Sequence, residues 1–260
     1  MNIEQFQATF EAVFPATGRN QPTRRYEWHI PRPGFLKRFG VRNFYLFESL
    51  RDVEGLVSIK KEQLLRLAYG CLGREEAYLE VGTWQGRSLI AAMHGNAPRP
   101  TFGCDDFSES YMNRKLDLHA RFLRNIRRHG LERDVTFYKE PFQTIFTKEK
   151  LPIPIGLYFY DAAHDEQHQY LGIKLVEPFL NDEALVIVDD WRFAPDSQSY
   201  AKAGTQRAVA ESSHGWRLLH ELPARRNCDR AMWWNGVAVY AFHKKCLETR
   251  KTTAPIPAAS

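Results

Sequence analysis

The stretch Ala77-Tyr78-Leu79-Glu80-Val81-Gly82-Thr83-Trp84-Gln85-Gly86-Arg87-Ser88, running on into Leu89-Ile90-Ala91-Ala92, decides how the rest of the chain is read. A short apolar run closes on an acid, two glycines flank three residues, and a helix-compatible segment begins. That order is strand, tight turn, helix. Gly82 and Gly86 carry no Cβ, so the backbone can turn sharply and approach a ligand closely there. The helix start behind them offers N–H groups without intrahelical partners. Glu80, at the strand end, can accept hydrogen bonds from a ligand's donors. Such a turn suits a nucleotide-like molecule. Taken alone, a Gly-x-x-x-Gly spacing is common wherever a strand turns into a helix. It also departs from the dinucleotide fingerprint Gly-x-Gly-x-x-Gly, because Thr83-Trp84-Gln85 fill the gap and no third glycine follows. A dinucleotide is disfavoured and a smaller nucleoside ligand fits better.

Working outward, residues 2–14 place Ile3, Phe6, Phe10, Val13 and Phe14 on one helical face, with Pro15 as a stop. Residues 15–43 are rich in Pro, Gly and Arg and have no period, which predicts an irregular arm packed on the main domain. Ser58 is set to cap a helix that turns Leu64, Leu65, Leu67 and Ala68 inward. Beyond the opening motif, strands are expected at 100–105, 134–138, 154–161, 184–190, 216–222 and 236–243. Helices are expected at 115–129, 166–180 and 205–213. Strands alternating with helices imply βαβ units, a parallel sheet and right-handed crossovers, an α/β fold. The unbroken apolar run Ala184-Leu185-Val186-Ile187-Val188 marks a central, parallel strand.

A chain of 260 residues can bury a substantial core. The cysteines Cys71, Cys104, Cys228 and Cys246 are scattered, with no Cys-x-x-Cys pair, and read as reduced thiols of a cytoplasmic protein. The N-terminus lacks the basic start and apolar core of a signal peptide, and no apolar stretch is long enough for a membrane span. A net charge of +5 is mild. Part of it comes from Arg19, Arg24, Arg25, Arg32, Lys37, Arg38 and Arg42, interleaved with Tyr26, Trp28, Phe35 and Phe39. Basic residues among aromatics can mark a nucleic-acid surface. The spacing follows no known module, so a solvated face anchored by its aromatics is preferred and nucleic acid is disfavoured as a partner.

In an open parallel sheet, ligands sit beyond the carboxyl ends of the strands. Each of the first five strands ends at or beside an acid there: Glu80, Asp105, Glu140, Asp161, and the pair Asp189-Asp190. Clustered like charges repel unless a ligand or cation uses them.

With these acids in place, the chain resembles the class I S-adenosylmethionine-dependent methyltransferases over roughly residues 55–243. Glu80 to Ser88 looks like their first motif, and Asp105 matches the acid that closes their second strand. The resemblance implies a Rossmann-like seven-stranded sheet with helices on both faces. It divides the chain into an N-terminal helix and arm (1–54), a methyltransferase domain (55–246) and a disordered tail (247–260). It implies a site for S-adenosyl-L-methionine that includes Glu80, Gly82, Thr83, Gly86, Ser88, Asp105 and Asp161, with Asp105 on the ribose hydroxyls and Glu140 to Phe142 near the adenine. The nearer resemblance is to metal-dependent O-methyltransferases of the catechol type, especially those acting on sugars of natural products. It assigns Mg2+ to Asp161, Asp189 and Asp190 and the role of general base to His164, three residues after Asp161. Hard oxygen ligands suit magnesium, and an imidazole suits proton removal near neutral pH. The expected activity is O-methylation of a hydroxyl on a small molecule, with the assembly state left open to a homo-oligomer.

Two alternatives stand beside this reading. His164 and His168, four residues apart, look superficially like the zinc-protease pair His-Glu-x-x-His, although Asp165 stands where the glutamate belongs. A methyltransferase acting on RNA is the other, whereas base-nitrogen methylation is disfavoured because Asp161-Ala162-Ala163-His164 does not match Asn/Asp-Pro-Pro-Tyr. The polar segment from Trp191, Arg192 and Phe193 to Gly204 reads equally well as a substrate lid or as an ordinary loop whose tryptophan packs on the sheet. Tyr26 and Trp28 are placed to cap the site from the arm, and Trp233 and Trp234 to support the last strand.

Overall fold

The computed structural model describes residues 1–22, 50, 52–108, 116–191 and 200–245. Tyr26, Trp28 and most of the basic arm, Arg192, Phe193, Cys246 and the 247–260 tail lie outside them. In chain order the elements are α1 (Ile3–Val13), α2 (Ile59–Gly70), β1 (Ala77–Val81), α3 (Arg87–Met93), β2 (Thr101–Cys104), α4 (Leu118–Arg128), β3 (Val135–Tyr138), β4 (Ile155–Tyr160), α5 (Glu166–Val176), β5 (Leu180–Val188), α6 (Tyr200–Ala210), β6 (Gly215–Leu222) and β7 (Val237–His243). The seven strands form one sheet in the order β3-β2-β1-β4-β5-β7-β6. β1 to β5 pair in parallel, and β7 runs antiparallel between β5 and β6.

Period-two alternation sorts the side chains of the central strands between two apolar layers. Tyr78, Leu157, Phe159, Leu185 and Ile187 face the layer that holds α1 to α4. Leu79, Val81, Tyr158, Tyr160, Val186 and Val188 face α5 and α6. Both faces are covered, which explains why β1 and β4 are buried at every position. The helix face predicted at the N-terminus is real: Ile3, Phe6, Phe10 and Phe14 enter the same core as β1. Phe10 stacks on His220 of β6 at 4.0 Å between ring centres, and Phe14 meets Trp233 edge-on at 5.0 Å.

Among element starts, the largest differences from expectation fall at α6 and β5. α6 begins at Tyr200 rather than 205, because Ala201, Gly204 and Thr205 bury a face that polarity alone hid. Gly204 is needed there, since a Cβ would meet the Glu166 carbonyl oxygen at 2.4 Å. β5 starts at Leu180, where Asn181, Asp182 and Glu183 extend the strand before its apolar stretch.

Candidate active site

The parallel ladder runs to the very ends of the strands and sets the acids in one row. The Asp161 N–H donates to the Val81 carbonyl at 2.9 Å, Asp189 N–H to Tyr160 at 3.0 Å, and Asp105 N–H to Tyr138 at 3.2 Å. Beside this row lies a cavity of about 260 Å³, walled by Gly82, Thr83, Trp84 and Ser88 from the first turn, by Asp105 to Ser108 after β2, and by Phe142, Gln143, Asp161, His164 and His168.

The first turn has the conformation expected of it, for a different reason. Gly82 has φ +89°, and a Cβ on it would lie 1.9 Å from the Asp161 carbonyl oxygen. Its missing side chain lets the end of β1 press against the end of β4, not against a ligand. Gly86, with φ +86°, stands at the start of α3 where a Cβ would touch the Phe122 ring at 3.0 Å. It does not line the cavity. Thr83 borders the cavity, and its Oγ1 is buried with no hydrogen-bond partner among the described residues. Trp84 is held at φ +45° as its N–H donates to Asp105 Oδ2 at 2.7 Å. The other Asp105 oxygen accepts from Phe107 N–H, also at 2.7 Å. A carboxylate offers about four acceptor positions, so Asp105 can take a ligand's hydroxyls as well.

Two acids expected in the site do not reach it. Glu80 is fully buried beneath the turn, on the Tyr78 side of the sheet, where it accepts from the Tyr78 hydroxyl and from Ser88 Oγ at 2.6 Å. Strand alternation turns it into the core, so it ties α3 to β1 and faces no ligand. Burial pushes its carboxyl up to about 7 despite those two hydrogen bonds. Ser88 borders the cavity, but its hydroxyl is spent on Glu80. Glu140 turns outward to Lys150 Nζ at 2.6 Å and to the Thr144 hydroxyl, leaving Phe142 and Gln143 as the wall where an adenine contact was expected.

The remaining acids form a charged cluster around Asp161 and His164, which line the cavity. Asp161, His164 and Asp190 bring one ligand atom each within 4.8 Å of one another. His164 Nε2 lies 2.9 Å from Asp190 Oδ2, with the imidazole half exposed and the carboxylate buried. Asp190 adopts φ +51° and also accepts from Asn235 Nδ2 at 2.6 Å. Burial alone would raise Asp190; the hydrogen bond and charge of His164, helped by Lys61 and Asn235, hold it down to about 2. Burial and the neighbouring Asp189 push Asp161 far above the usual carboxylate range.

Asp189 is not grouped with them as a ligand. It is ion-paired to Lys61 of α2, and both side chains are almost wholly buried. Its second oxygen, Oδ1, is buried with no hydrogen-bond partner among the described residues, although the Asp161 carboxyl stands beside Asp189. Burial would lower the Lys61 ammonium, but Asp189, Asp161 and Asp190 together outweigh it and hold it above its usual value. The donor set of carboxylates and one imidazole, with an orphaned buried oxygen beside it, fits a divalent cation, although Asp189 already has a cation of its own.

Lys61 and Asn235 are the residues sequence reading missed. Lys61 had a signal: two lysines in the first turn of a helix oppose its dipole and call for buried partners. Asn235 had none. The His164/His168 pair is not a zinc-protease helix. Asp165 caps α5, so His164 precedes the helix, and His168 Nδ1 is engaged by Asp165 Oδ2 at 2.6 Å. Trp191 is fully buried and donates to Glu221 at 2.8 Å, which makes it a packing residue. Trp233 and Trp234 are buried too. No described helix is long and apolar enough to cross a membrane.

Residues 79–191 match a family described as a methyltransferase domain. No curated protein matches the chain. Among solved structures, cofactor-bound Rv0187 from MTB superposes with a TM-score of 0.55 at 19% identity, over 83% of this chain and 99% of that one. The O-methyltransferase TomG from Streptomyces achromogenes, involved in tomaymycin synthesis and solved with SAM, gives 0.52 at 17%, over 75% and 83%. An O-methyltransferase from Bacillus cereus, solved with SAH, gives 0.50 at 16%, over 93% and 90%. At such identities the likeness establishes the fold. Residues 79–191 therefore match a methyltransferase-domain family, and the chain shares the fold of these O-methyltransferase structures.

Proposed function

We propose that this chain transfers a methyl group from S-adenosylmethionine to a hydroxyl of a small molecule, with sugar moieties of natural products the first acceptors to try. The observation that carries this reading is the His164–Asp190 pair, 2.9 Å apart, with His164 on the wall of a cavity that Asp105 also lines. Asp105 suits a nucleoside and the His164 pair suits proton removal.

When bound, S-adenosylmethionine supplies a methyl group on a positively charged sulfur. Asp105 would accept the ribose hydroxyls, and the polar end of the methionine part would lie against the first turn at Thr83. Phe142 and Gln143 flank the base. On the acceptor side, Asp190 stays ionised across the physiological range, being held down to about 2. It takes the Nε2 hydrogen of His164 and fixes that tautomer, so Nδ1 is the atom that removes the acceptor's proton. Asp190 then stabilises the imidazolium that forms. Mg2+ or a similar ion would be held by Asp161 and Asp190, which are hard oxygen donors, and would lower the pKa of a bound hydroxyl.

The test is a pair of measurements on wild type and His164→Ala. Calorimetry should show S-adenosylmethionine binding to both with similar affinity. Turnover of hydroxylated acceptors should fall about 10²–10⁴-fold in the variant, the usual worth of a general base. A wild-type protein that does not bind the cofactor, or a variant that turns over normally, ends this reading.

A further inference from the structure

Three acids at one strand edge demand positive charge, and the chain brings its own. Lys61 is fully buried on the first turn of α2, the position where the helix dipole least favours a cation. Its helix is fixed there by the Ser58 cap, whose side chain accepts from the Lys61 N–H at 3.2 Å. The neighbours Lys60 and Glu62 are also buried, and each has a separate partner: Lys60 Nζ donates to the Arg19 and Gln21 carbonyls, and Glu62 accepts from Arg87 at 2.6 Å. Only Lys61 is aimed at the acids. Its ammonium takes one oxygen of Asp189 and leaves the other buried without a hydrogen-bond partner among the described residues. A buried unpaired charge is costly, and so is one carboxylate oxygen left unsatisfied.

We propose that Lys61 is a resident cation that stands in for a divalent ion at Asp189. Ammonium and metal ion compete for the same carboxylate, so the acidic edge holds together without metal, and Mg2+ binds weakly at Asp161 and Asp190. The divalent site assumed here rests on the functional reading above, but the prediction concerns cation binding and stability rather than methyl transfer. Substituting a neutral side chain of similar length at Lys61 frees both Asp189 oxygens and turns a metal-indifferent edge into a metal-requiring one.

The experiment compares thermal unfolding and Mg2+ calorimetry for wild type, Lys61→Met and the double variant Lys61→Met/Asp189→Asn. Wild type should melt at the same temperature with chelator as with MgCl2 too dilute to fill a weak site. Lys61→Met should melt lower in chelator, recover in MgCl2, and bind Mg2+ at least about tenfold tighter than wild type, the sign of a relieved like-charge conflict. The double variant, lacking both charges, should fold without metal and show no such gain. The proposal is overturned if Lys61→Met responds to Mg2+ no more than wild type, or if wild type loses stability on chelation. It is overturned as well if Lys61→Met fails to fold even in MgCl2 while the double variant folds. S-adenosylmethionine binding, followed on the same samples, reports on the functional reading alone: its absence from wild type ends that reading and leaves the Lys61 result standing.

Discussion

The two halves of the site are built from different materials. The end proposed for the nucleoside is made of backbone: a left-handed Gly82 against the Asp161 carbonyl, N–H groups turned onto Asp105, and one hydroxyl with no partner among the described residues. The acidic end is made of charges that answer one another, Asp189 with Lys61 and Asp190 with His164 and Asn235. A backbone cradle is rigid and indifferent to ionisation, whereas a set of buried charges is only as stable as its balance. The first end therefore fails through shape and the second through electrostatics.

The largest effect is expected where the two ends touch. Gly82→Ala would put a Cβ 1.9 Å from the Asp161 carbonyl at φ +89°. It should cost on the order of 4 kcal/mol or more, through both clash and backbone strain. Urea denaturation and cofactor calorimetry would measure it; a variant of normal stability would mean that the two ends are not joined through this contact.

Glu80 gives a middle-sized effect with a definite sign. Its folded-state value near 7 lies above the usual 4.5, so the native state holds the proton more tightly than the unfolded one. Its contribution is fully present below pH 4.5, declines as pH rises toward 7 and is then level. Relative to wild type, Glu80→Gln should gain about 3 kcal/mol between pH 4.5 and 7, the equivalent of that displacement. His220, held down to about 4 by burial and by Arg19, pulls the other way over nearly the same range. The wild-type curve should therefore be flatter than that of the variant, whose stability should climb with pH. Parallel curves would rule out a carboxyl that stays protonated beneath the turn.

The smallest effect tests a negative. Glu140→Ala removes a surface ion pair to Lys150 and no cavity wall. Stability should change by no more than about 0.5 kcal/mol, and cofactor affinity by less than about twofold. A large loss of affinity would return Glu140 to the nucleoside end.

The same contrast governs what could be read from the sequence. Strand, turn and helix around Gly82 were legible because backbone constraints are local: an apolar run, a glycine at a positive φ, and an acid at a strand end lie within ten residues. The row of acids was legible for the same reason, since each closes its own strand. What each acid does was not. Glu80 and Asp105 end neighbouring strands alike, yet alternation buries one and exposes the other, and register is fixed only by pairing with β2 and β4. Asp189 looked like a metal ligand because its partner Lys61 is 128 positions away. Long-range ion pairs leave no spacing to find. The start of α6 was hidden because small residues, not large apolar ones, bury its inner face.

Asp190 sits in a left-handed conformation, which an aspartate tolerates better than most residues, and Asn235 holds its carboxylate from just ahead of β7. Asn235 is in turn fixed by the Cys228 N–H, 2.7 Å from its Oδ1, within a segment braced by the Arg225–Asp229 pair and by a second left-handed residue, Trp234. The β6–β7 connection thus acts as a lever whose short arm is the acid beside the proposed base. Substitutions there should shift the proton-transfer geometry while leaving cofactor affinity alone, which places a control on the proposed reaction in a connection that does not line the cavity.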